Sequence, residues 1–329
     1  YQIMKSIKVG VCGVGNVGGA VLETLTSSPE IIENNGGVKI NIIQVGARKG
    51  KSAVPFDLNV TTNLMDVANN PEVEVLIELI GGCDLAKDLV EKAIRNGKHI
   101  VTANKALIAT HGDELFELAK EHNVQIGFEA SVAGGIPILG SIKEGLATNK
   151  ISKVYGILNG TSNYILSEME NSNQSFSDVL RKAQKLGYAE PGNPKLDLNG
   201  FDAFAKVRIL SALSFNSKIS KHKCLMEGIE KIDLKDIKIA NQLDLRIKLL
   251  GISELKNGDL FETVHPCLVS KKSYIGNVGG VMNAVILEGK PVGESILQGE
   301  GAGPGPTSSA LLSDLLSILR GNIKKPLGV

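Results

Sequence analysis

A chain of 329 residues is longer than one hydrophobic core comfortably organises, so two compact domains are expected, at about 150 residues each. Its composition, 43% apolar and 22% charged, is that of an ordinary globular protein and excludes disordered, fibrous and coiled-coil classes. Thirty-six basic against 35 acidic residues leave a net charge of +1, so no global field draws in nucleic acid or an anionic membrane, and neither is expected as a partner.

No apolar run reaches the ~18 residues of a membrane span, and Tyr1-Gln-Ile-Met-Lys-Ser6 lacks the pattern of a signal peptide. A soluble, cytoplasmic protein is expected. Four scattered cysteines (Cys12, Cys83, Cys224, Cys267) show no paired spacing and read as buried free thiols. The unusual feature is 37 glycines beside an aromatic content of 4% and no Trp.

In chain order, the apolar run Lys8–Cys12 leads into Gly13-Val-Gly-Asn-Val-Gly18, then into a helix-like segment with Ala20, Val21, Leu22 and Leu25. Strand, glycine turn and helix is the context in which this pattern binds a dinucleotide. The first glycine permits the turn, the second admits the pyrophosphate, and the third lets helix pack on strand. Gly13, Gly15, Asn16, Val17 and Gly18 are therefore cofactor-binding candidates, against the alternative of a plain turn in an α/β sheet. A second strand, Lys39–Val45, ends at Gly46-Ala-Arg-Lys-Gly-Lys51. An acidic residue there would take the ribose 2′-hydroxyl of NAD, whereas Arg48, helped by Lys49 or Lys51, suits the 2′-phosphate of NADP. NADP is favoured with NAD possible, and a solvated basic loop is the alternative.

Val73–Ile80 then reads as a buried strand, Leu85–Arg95 as a helix, His99–Thr102 as a strand, Glu114–His122 as a helix, Val124–Phe128 as a strand and Pro137–Ala147 as a helix. This alternation predicts an α/β, Rossmann-type doubly wound parallel sheet. Its ligand lies at the carboxyl ends of the strands, where Ile80, Gly81, Thr102, Ala103, Asn104 and Lys105 gather with the first glycine loop. Beyond residue 150 the pattern becomes α+β. Ile151–Leu158 reads as a strand, Ser162–Met169, Ser177–Leu186 and Phe201–Phe215 as helices, and Ile237–Leu250, Leu260–Val269 and Asn283–Glu288 follow, the last two strand-like. A second glycine run, Gly299–Gly305, precedes an apolar helix from Thr307 to Leu319 and suits a second approach to the cofactor or a hinge. The expected division is residues 1–136, completed by 300–329, for the dinucleotide, and 137–299 for a second domain.

Turn formers and three carboxylates concentrate between Leu186 and Asp202. Asp202 and Lys206 are four apart, so they share one face of a helix. A surface ion pair is the common reason for that spacing, but Lys206 is flanked by Ala203, Phe204, Ala205, Val207, Ile209 and Leu210, which places part of this helix inside. A lysine beside carboxylates in a partly dry site can relay protons.

At this point the residues resemble a known family. Gly13–Gly18, Thr102-Ala-Asn-Lys105, Phe128–Pro137, Gly156–Asn163, Leu186-Gly-Tyr-Ala-Glu190, Asp197–Asp202 with Lys206, and Gly301-Ala-Gly303 with Pro306-Thr-Ser308 together resemble homoserine dehydrogenase, in family order and over nearly the whole chain. The resemblance implies reversible NAD(P)-dependent interconversion of L-homoserine and L-aspartate 4-semialdehyde in threonine, methionine and isoleucine synthesis. It implies catalytic lysines at Lys105 and Lys206. Glu190, Asp197 and Asp202 would hold the substrate amino group and orient Lys206, while Gly160 and Thr161 would lie around its carboxylate. Backbone carbonyls of Glu129, Val132, Gly134 and Ile136 would hold a monovalent cation, usually sodium. Gly303 would approach the cofactor, and the chain would form a homodimer.

The segment between Glu190 and Asp197 departs from the family, being one residue longer and carrying Asn193 where Asp is usual. The chain as it stands shows no ACT regulatory domain and no aspartate kinase, so inhibition by threonine through an ACT domain is not expected of it. Hydride transfer from an alcohol needs a nicotinamide, a proton acceptor and positive charge at the oxygen, and two lysines supply the last two. An aldehyde dehydrogenase would instead need a nucleophilic cysteine with a base beside it, and neither Cys12 nor Cys83 has a histidine close in sequence. A cofactor-binding sensor without chemistry would lack Lys105, Glu190, Asp202 or Lys206, and all four are present. His99, His111, His122, His222 and His265 show no ligand spacing and read as structural or surface residues.

Overall fold

The computed structural model describes residues 5–54, 56–192, 194–222 and 224–321. It divides into two compact units, one holding the chain up to Gly135 together with the segment from Gly303, the other Ile136–Ala302.

The first unit contains β1 (Lys5–Cys12), α1 (Asn16–Ser27), α2 (Pro29–Gly36), β2 (Val38–Gly46), a 3-10 turn at Gly50–Ala53, β3 (Val60–Thr61), α3 (Leu64–Asn69), β4 (Val75–Glu78), α4 (Asp84–Arg95), β5 (His99–Thr102), α5 (Lys105–Glu121) and β6 (Ile126–Gly127). All strand pairs are parallel, in the order β3-β2-β1-β4-β5-β6. This is the doubly wound Rossmann-type sheet, and its order reverses beside β1, where the carboxyl ends leave a crevice. Val9, Val11, Val75, Leu76 and Ile77 are fully buried, as strands covered on both faces require. On α4 the buried residues Ala86, Leu89, Val90, Ala93 and Ile94 recur at helical spacing, with Asp84 in the first turn and Lys92 and Arg95 in the last, matching the helix dipole.

The second unit contains α6 (Ile138–Gly140), β7 (Lys150–Ile157), α7 (Gly160–Ser172), α8 (Phe176–Lys185), α9 (Lys195–Leu198), α10 (Phe201–Phe215), β8 (Leu225–Met226), α11 (Leu234–Gln242), β9 (Leu245–Lys256), β10 (Asp259–Ser270), β11 (Met282–Lys290) and β12 (Gly293–Glu300). Its sheet runs β12-β11-β7-β9-β10-β8, antiparallel except for the β8–β10 pair. The last helix, α12 (Pro304–Arg320), returns to the first unit and packs on α1, β5 and β6. There the buried Asp314 accepts the Glu129 N–H through Oδ2 at 2.7 Å.

Several expectations are corrected. Ile237–Leu250 is not one element: α11 ends at Gln242, Asp244 turns the chain at φ 58°, and β9 follows. Ile247 to Leu250 are all buried, so no alternation announced the strand. The helix expected over Pro137–Ala147 runs from Ile138 to Gly145, opening as α6 and widening to π-helix at Ser141–Gly145. The helix expected at Glu114 begins nine residues earlier, at Lys105, where Asn104 accepts the Leu107 N–H as its cap. Gly299 and Glu300 belong to the edge strand β12 rather than to a loop, and α12 starts at Pro304. Of the four free thiols only Cys12 is buried, the other three being half-buried. Asn193, the side chain of Lys51 and residues 322–329 lie outside the described residues.

Candidate active site

In the first unit Gly13 and Gly15, between β1 and α1, and Gly18, in the first turn of α1, do different jobs. A Cβ on Gly13, which sits at φ 104°, would lie 2.5 Å from the Leu79 carbonyl oxygen, and one on Gly18 would lie 2.1 Å from that of Gly13. Both must be bare for the turn to close and α1 to pack on the sheet. A Cβ on Gly15 would meet nothing within 4 Å, so the chain itself does not require a glycine there. Gly15 is the N-cap of α1, no side chain caps that end, and Asn16 and Val17 open a first turn without an acidic residue. Open space over unfilled N–H donors fits a pyrophosphate.

At the end of β2, Ala47 is tied to the Thr61 carbonyl, and the Gly50 N–H closes a turn on the Ala47 carbonyl at 2.8 Å. Arg48 and Lys49 project from that turn, both exposed, and the first carboxylate after β2 is Asp57. The donor set fits a phosphate better than a neutral ribose hydroxyl pair.

The loops after β4 and β5 are joined by a residue the sequence reading did not single out. Glu78 is fully buried, and its Oε1 accepts the N–H groups of Ile80 at 2.8 Å and Gly81 at 3.3 Å, while Oε2 accepts Thr102 Oγ1 at 2.6 Å. Thr102 Oγ1 in turn accepts the Asn104 N–H at 3.0 Å, and Asn104 Nδ2 donates to the Gly82 carbonyl at 2.7 Å. Ala103 accepts the Lys105 N–H, and Lys105 is half-buried at the first position of α5. Four of the six candidates, Ile80, Gly81, Thr102 and Asn104, thus belong to one hydrogen-bonded cluster at the carboxyl ends of β4 and β5, with Ala103 and Lys105 adjacent in the chain.

In the second unit Lys206 and Asp202 lie on successive turns of α10, with Nζ and Oδ2 2.8 Å apart and both side chains 10% exposed. Lys206 Nζ also donates to the Leu158 carbonyl at 2.7 Å. Asn159 Nδ2 donates to Asp202 Oδ2 at 2.8 Å and to Asp197 Oδ1 at 2.9 Å, while its Oδ1 caps α7 by accepting the Ser162 N–H. Asn159 is the second residue sequence reasoning did not assign, although it stood within a quoted segment. Thr161 Oγ1 donates to the Tyr188 carbonyl at 2.6 Å, which pins the Leu186–Glu190 segment to the start of α7. A Cβ on Gly160 would lie 2.6 Å from the Val281 carbonyl, so this glycine is required by packing. Glu190 is exposed and makes no ion pair among the described residues. Beside Gly160, the fully buried Asn283 has both side-chain polar atoms without a partner among the described residues.

Glu129 opens a one-turn 3-10 helix ending at Ser131, Ala133 adopts φ 54° and Gly134 φ 22°. The Glu129 carbonyl accepts the Val132 N–H and the Ile136 carbonyl the Ile138 N–H; backbone carbonyls are neutral oxygen donors, the kind that suits a monovalent cation. Gly303, at φ 117°, is the N-cap of α12. A cleft of about 700 Å³ lined by Asn69, Glu74, Asn96, His99 and Leu319 opens at the amino ends of the first sheet, away from every group above.

The description "Homoserine dehydrogenase, NAD binding domain" matches residues 13–129, and "Homoserine dehydrogenase" matches residues 137–316. Homoserine dehydrogenase of Pseudomonas aeruginosa is 45% identical over 324 residues, 98% of this chain and 74% of its own. The crystal structure of a homoserine dehydrogenase from Thiobacillus denitrificans superposes with a TM-score of 0.93 at 44% identity, covering 97% of this chain and 74% of that one. A hyperthermophilic archaeal homoserine dehydrogenase in complex with NADPH gives a TM-score of 0.81 at 26% identity, covering 98% and 99%.

Proposed function

This chain belongs to the homoserine dehydrogenase family, and on that premise we propose how its residues divide the reversible NAD(P)-dependent interconversion of L-homoserine and L-aspartate 4-semialdehyde. The first turn of α1 takes the pyrophosphate beside Gly15. Arg48 and Lys49 take a 2′-phosphate, which makes NADP the preferred cofactor; the NADPH bound by the archaeal relative supports that preference. The clusters around Ile80–Gly81 and Thr102–Lys105, with Gly303, complete the cofactor contacts.

When bound, the dinucleotide accepts or returns the hydride. The protein is left to move the hydroxyl proton and to meet the charge that develops on oxygen. Two of the three N–H donors of Lys206 are directed to Asp202 and to the Leu158 carbonyl, which fixes the ammonium and aims the third at the substrate oxygen. Lys105 shares the proton transfer. Asp202 orients Lys206, and Asp197 and Asp202 are held by the one Asn159 amide. Glu190 takes the substrate ammonium. The substrate carboxylate lies at the start of α7, where the N–H groups of Gly160 and Thr161 open a helix with no acidic residue in its first turn.

A sodium ion on the carbonyls of Glu129, Val132, Gly134 and Ile136 would brace that stretch, and the left-handed Ala133 supports the reading, since such a residue persists only where its surroundings impose it. Homodimerisation uses the second sheet. The Cβ direction of Gly251 meets Val207 of α10, so its neighbour Ile252 faces away from that helix. Across the ladder Ile252 is level with Tyr155, Ile286 and Ile296, a row of large apolar residues on the face opposite α10. Cytoplasmic threonine, methionine and isoleucine synthesis is the setting that fits this reaction; among the described residues no helix is long and apolar enough to cross a membrane.

The observation that carries the assignment is the buried Lys206–Asp202 pair anchored on Leu158. L-Homoserine with NADP⁺ at alkaline pH is expected to raise absorbance at 340 nm, and Lys206→Ala to abolish the rise while leaving the circular dichroism unchanged. A fully active Lys206→Ala enzyme would overturn the assignment.

A further inference from the structure

We propose that Glu78 is a positioning residue that locks the cofactor-facing loop after β4 to the start of α5 and so places Lys105. The inference rests on the assignment of those loops and of Lys105 made above, but its observations are independent of it. Val75, Leu76 and Ile77 precede Glu78 on the same strand and are fully buried apolar residues, and Glu78 is equally buried. A buried carboxylate costs stability unless donors surround it, and replacing such a group by an apolar one of similar volume is often neutral or favourable for folding alone. A carboxylate at this position therefore points to a task other than packing.

The geometry specifies that task. One oxygen of Glu78 gathers the N–H groups of Ile80 and Gly81, and the other takes the Thr102 hydroxyl proton. That leaves the Thr102 oxygen as acceptor for Asn104 N–H, and Asn104 closes the ring by donating to Gly82. Gly81 and Gly82 both sit in the left-handed region, at φ 70° and 73°, and have no neighbour within 4 Å of an added Cβ. Among the described residues no side chain fills the space over these two glycines, so the hydrogen bonds to Glu78 and Asn104 are what hold their backbone. The same ring fixes Asn104, whose Oδ1 caps α5, and Lys105 is the next residue. An amide cannot substitute. In Glu78→Gln one oxygen can still accept the two N–H groups, but the NH₂ then faces the Thr102 hydroxyl and leaves its proton without an acceptor.

The test compares Glu78→Gln and, should that variant not fold, Thr102→Val, with the parent and with Lys105→Ala. In the protein without cofactor, amide hydrogen exchange at Ile80 and Gly81 is expected to accelerate at least tenfold, and the NADPH dissociation constant, read by fluorescence, to rise about tenfold. In turnover kcat falls at least tenfold while the KM for L-homoserine stays within twofold. In the Lys105→Ala background Glu78→Gln lowers kcat no further. Exchange and NADPH affinity within twofold of the parent, or an equal loss of kcat in both backgrounds, overturns the proposal. If Lys105→Ala alone retains full kcat, the role of Lys105 fails, and exchange with NADPH affinity still decides whether Glu78 holds the loop.

Discussion

Lys206 Nζ and Asp202 Oδ2 lie 2.8 Å apart on adjacent turns of α10, and a single amide from Asn159 joins the same Asp202 oxygen to Asp197. Because both members of the pair are buried, its loss is felt in chemistry and in folding. Lys206→Ala is expected to lower kcat by about 10²–10⁴, the range for removal of a general acid or base. Asp202→Asn keeps the size and the Asn159 neighbourhood but frees the lysine, so kcat falls while the KM for NADP⁺ holds. Steady-state kinetics on both variants measures this, and a parent-like kcat in Asp202→Asn refutes the orienting role.

Two glycines separate architecture from ligand approach. A Cβ on Gly156 would lie 2.0 Å from the Ala284 carbonyl of the paired strand, whereas one on Gly15 would touch nothing. Gly156→Ala is expected to cost about 1–3 kcal/mol of stability by forcing β7 from β11. Gly15→Ala is expected to leave the melting temperature of the cofactor-free protein within ~1 °C and to weaken NADPH binding more than tenfold. Thermal melts with and without NADPH distinguish them, and a large loss of stability in Gly15→Ala contradicts the assignment of that space to the pyrophosphate.

Arg48→Ala is expected to weaken NADPH by about tenfold, equivalent to about 1.4 kcal/mol, without changing affinity for NADH. The effect shrinks as salt rises, since Arg48 is exposed and its field is screened. Titration of both cofactors at two ionic strengths reads it; equal loss for both cofactors removes Arg48 from 2′-phosphate recognition.

Lys248 predicts a pH dependence of stability. Its ammonium, 3% exposed, is held by the Val278 carbonyl at 2.6 Å and Asn163 Oδ1 at 3.0 Å, both neutral, and burial with the nearby Arg246 charge lowers its pKa to about 8. The unfolded lysine titrates near ~10.4, so between those values the unfolded chain binds one proton more than the native protein. Stability from this group is therefore lowest below pH ~8 and rises by about 3 kcal/mol as pH climbs to ~10. Urea midpoints across that window are expected to rise in the parent relative to Lys248→Met, and parallel profiles would disprove it.

Much of the first unit was legible because its signals are local. The glycine spacing after β1 and the β-branched runs of β1 and β4 report a parallel sheet wherever they occur. What escaped reading depends on partners distant in sequence. Glu78 looked like one more residue of a buried strand, and only the fold brings Thr102 to it. Asn159 joins two aspartates 38 and 43 residues downstream, a relation no spacing rule encodes. Glycine was the reverse case. Gly160 is expected beside the substrate carboxylate, yet the Val281 carbonyl requires it bare, as the Ala284 carbonyl requires Gly156, so the glycine excess serves strand and helix contacts as well as ligands. The thiols follow the same rule: burial with the Glu78 charge pushes Cys12 up to about 12, which no sequence neighbour announces and which leaves it no nucleophile.

The bond from Asp314 to the Glu129 N–H spans 185 residues and lies within one unit. Translation therefore delivers the parts out of architectural order. The intervening unit, continuous from Ile136 to Ala302, is fully synthesised while the nucleotide-binding sheet still lacks the helix that covers β5 and β6. A ribosome stalled between residues 302 and 314 carries a nascent chain whose second unit is fully synthesised and whose first lacks part of the helix that packs with Leu22, Leu25 and Val101. Closure of the first unit waits for α12.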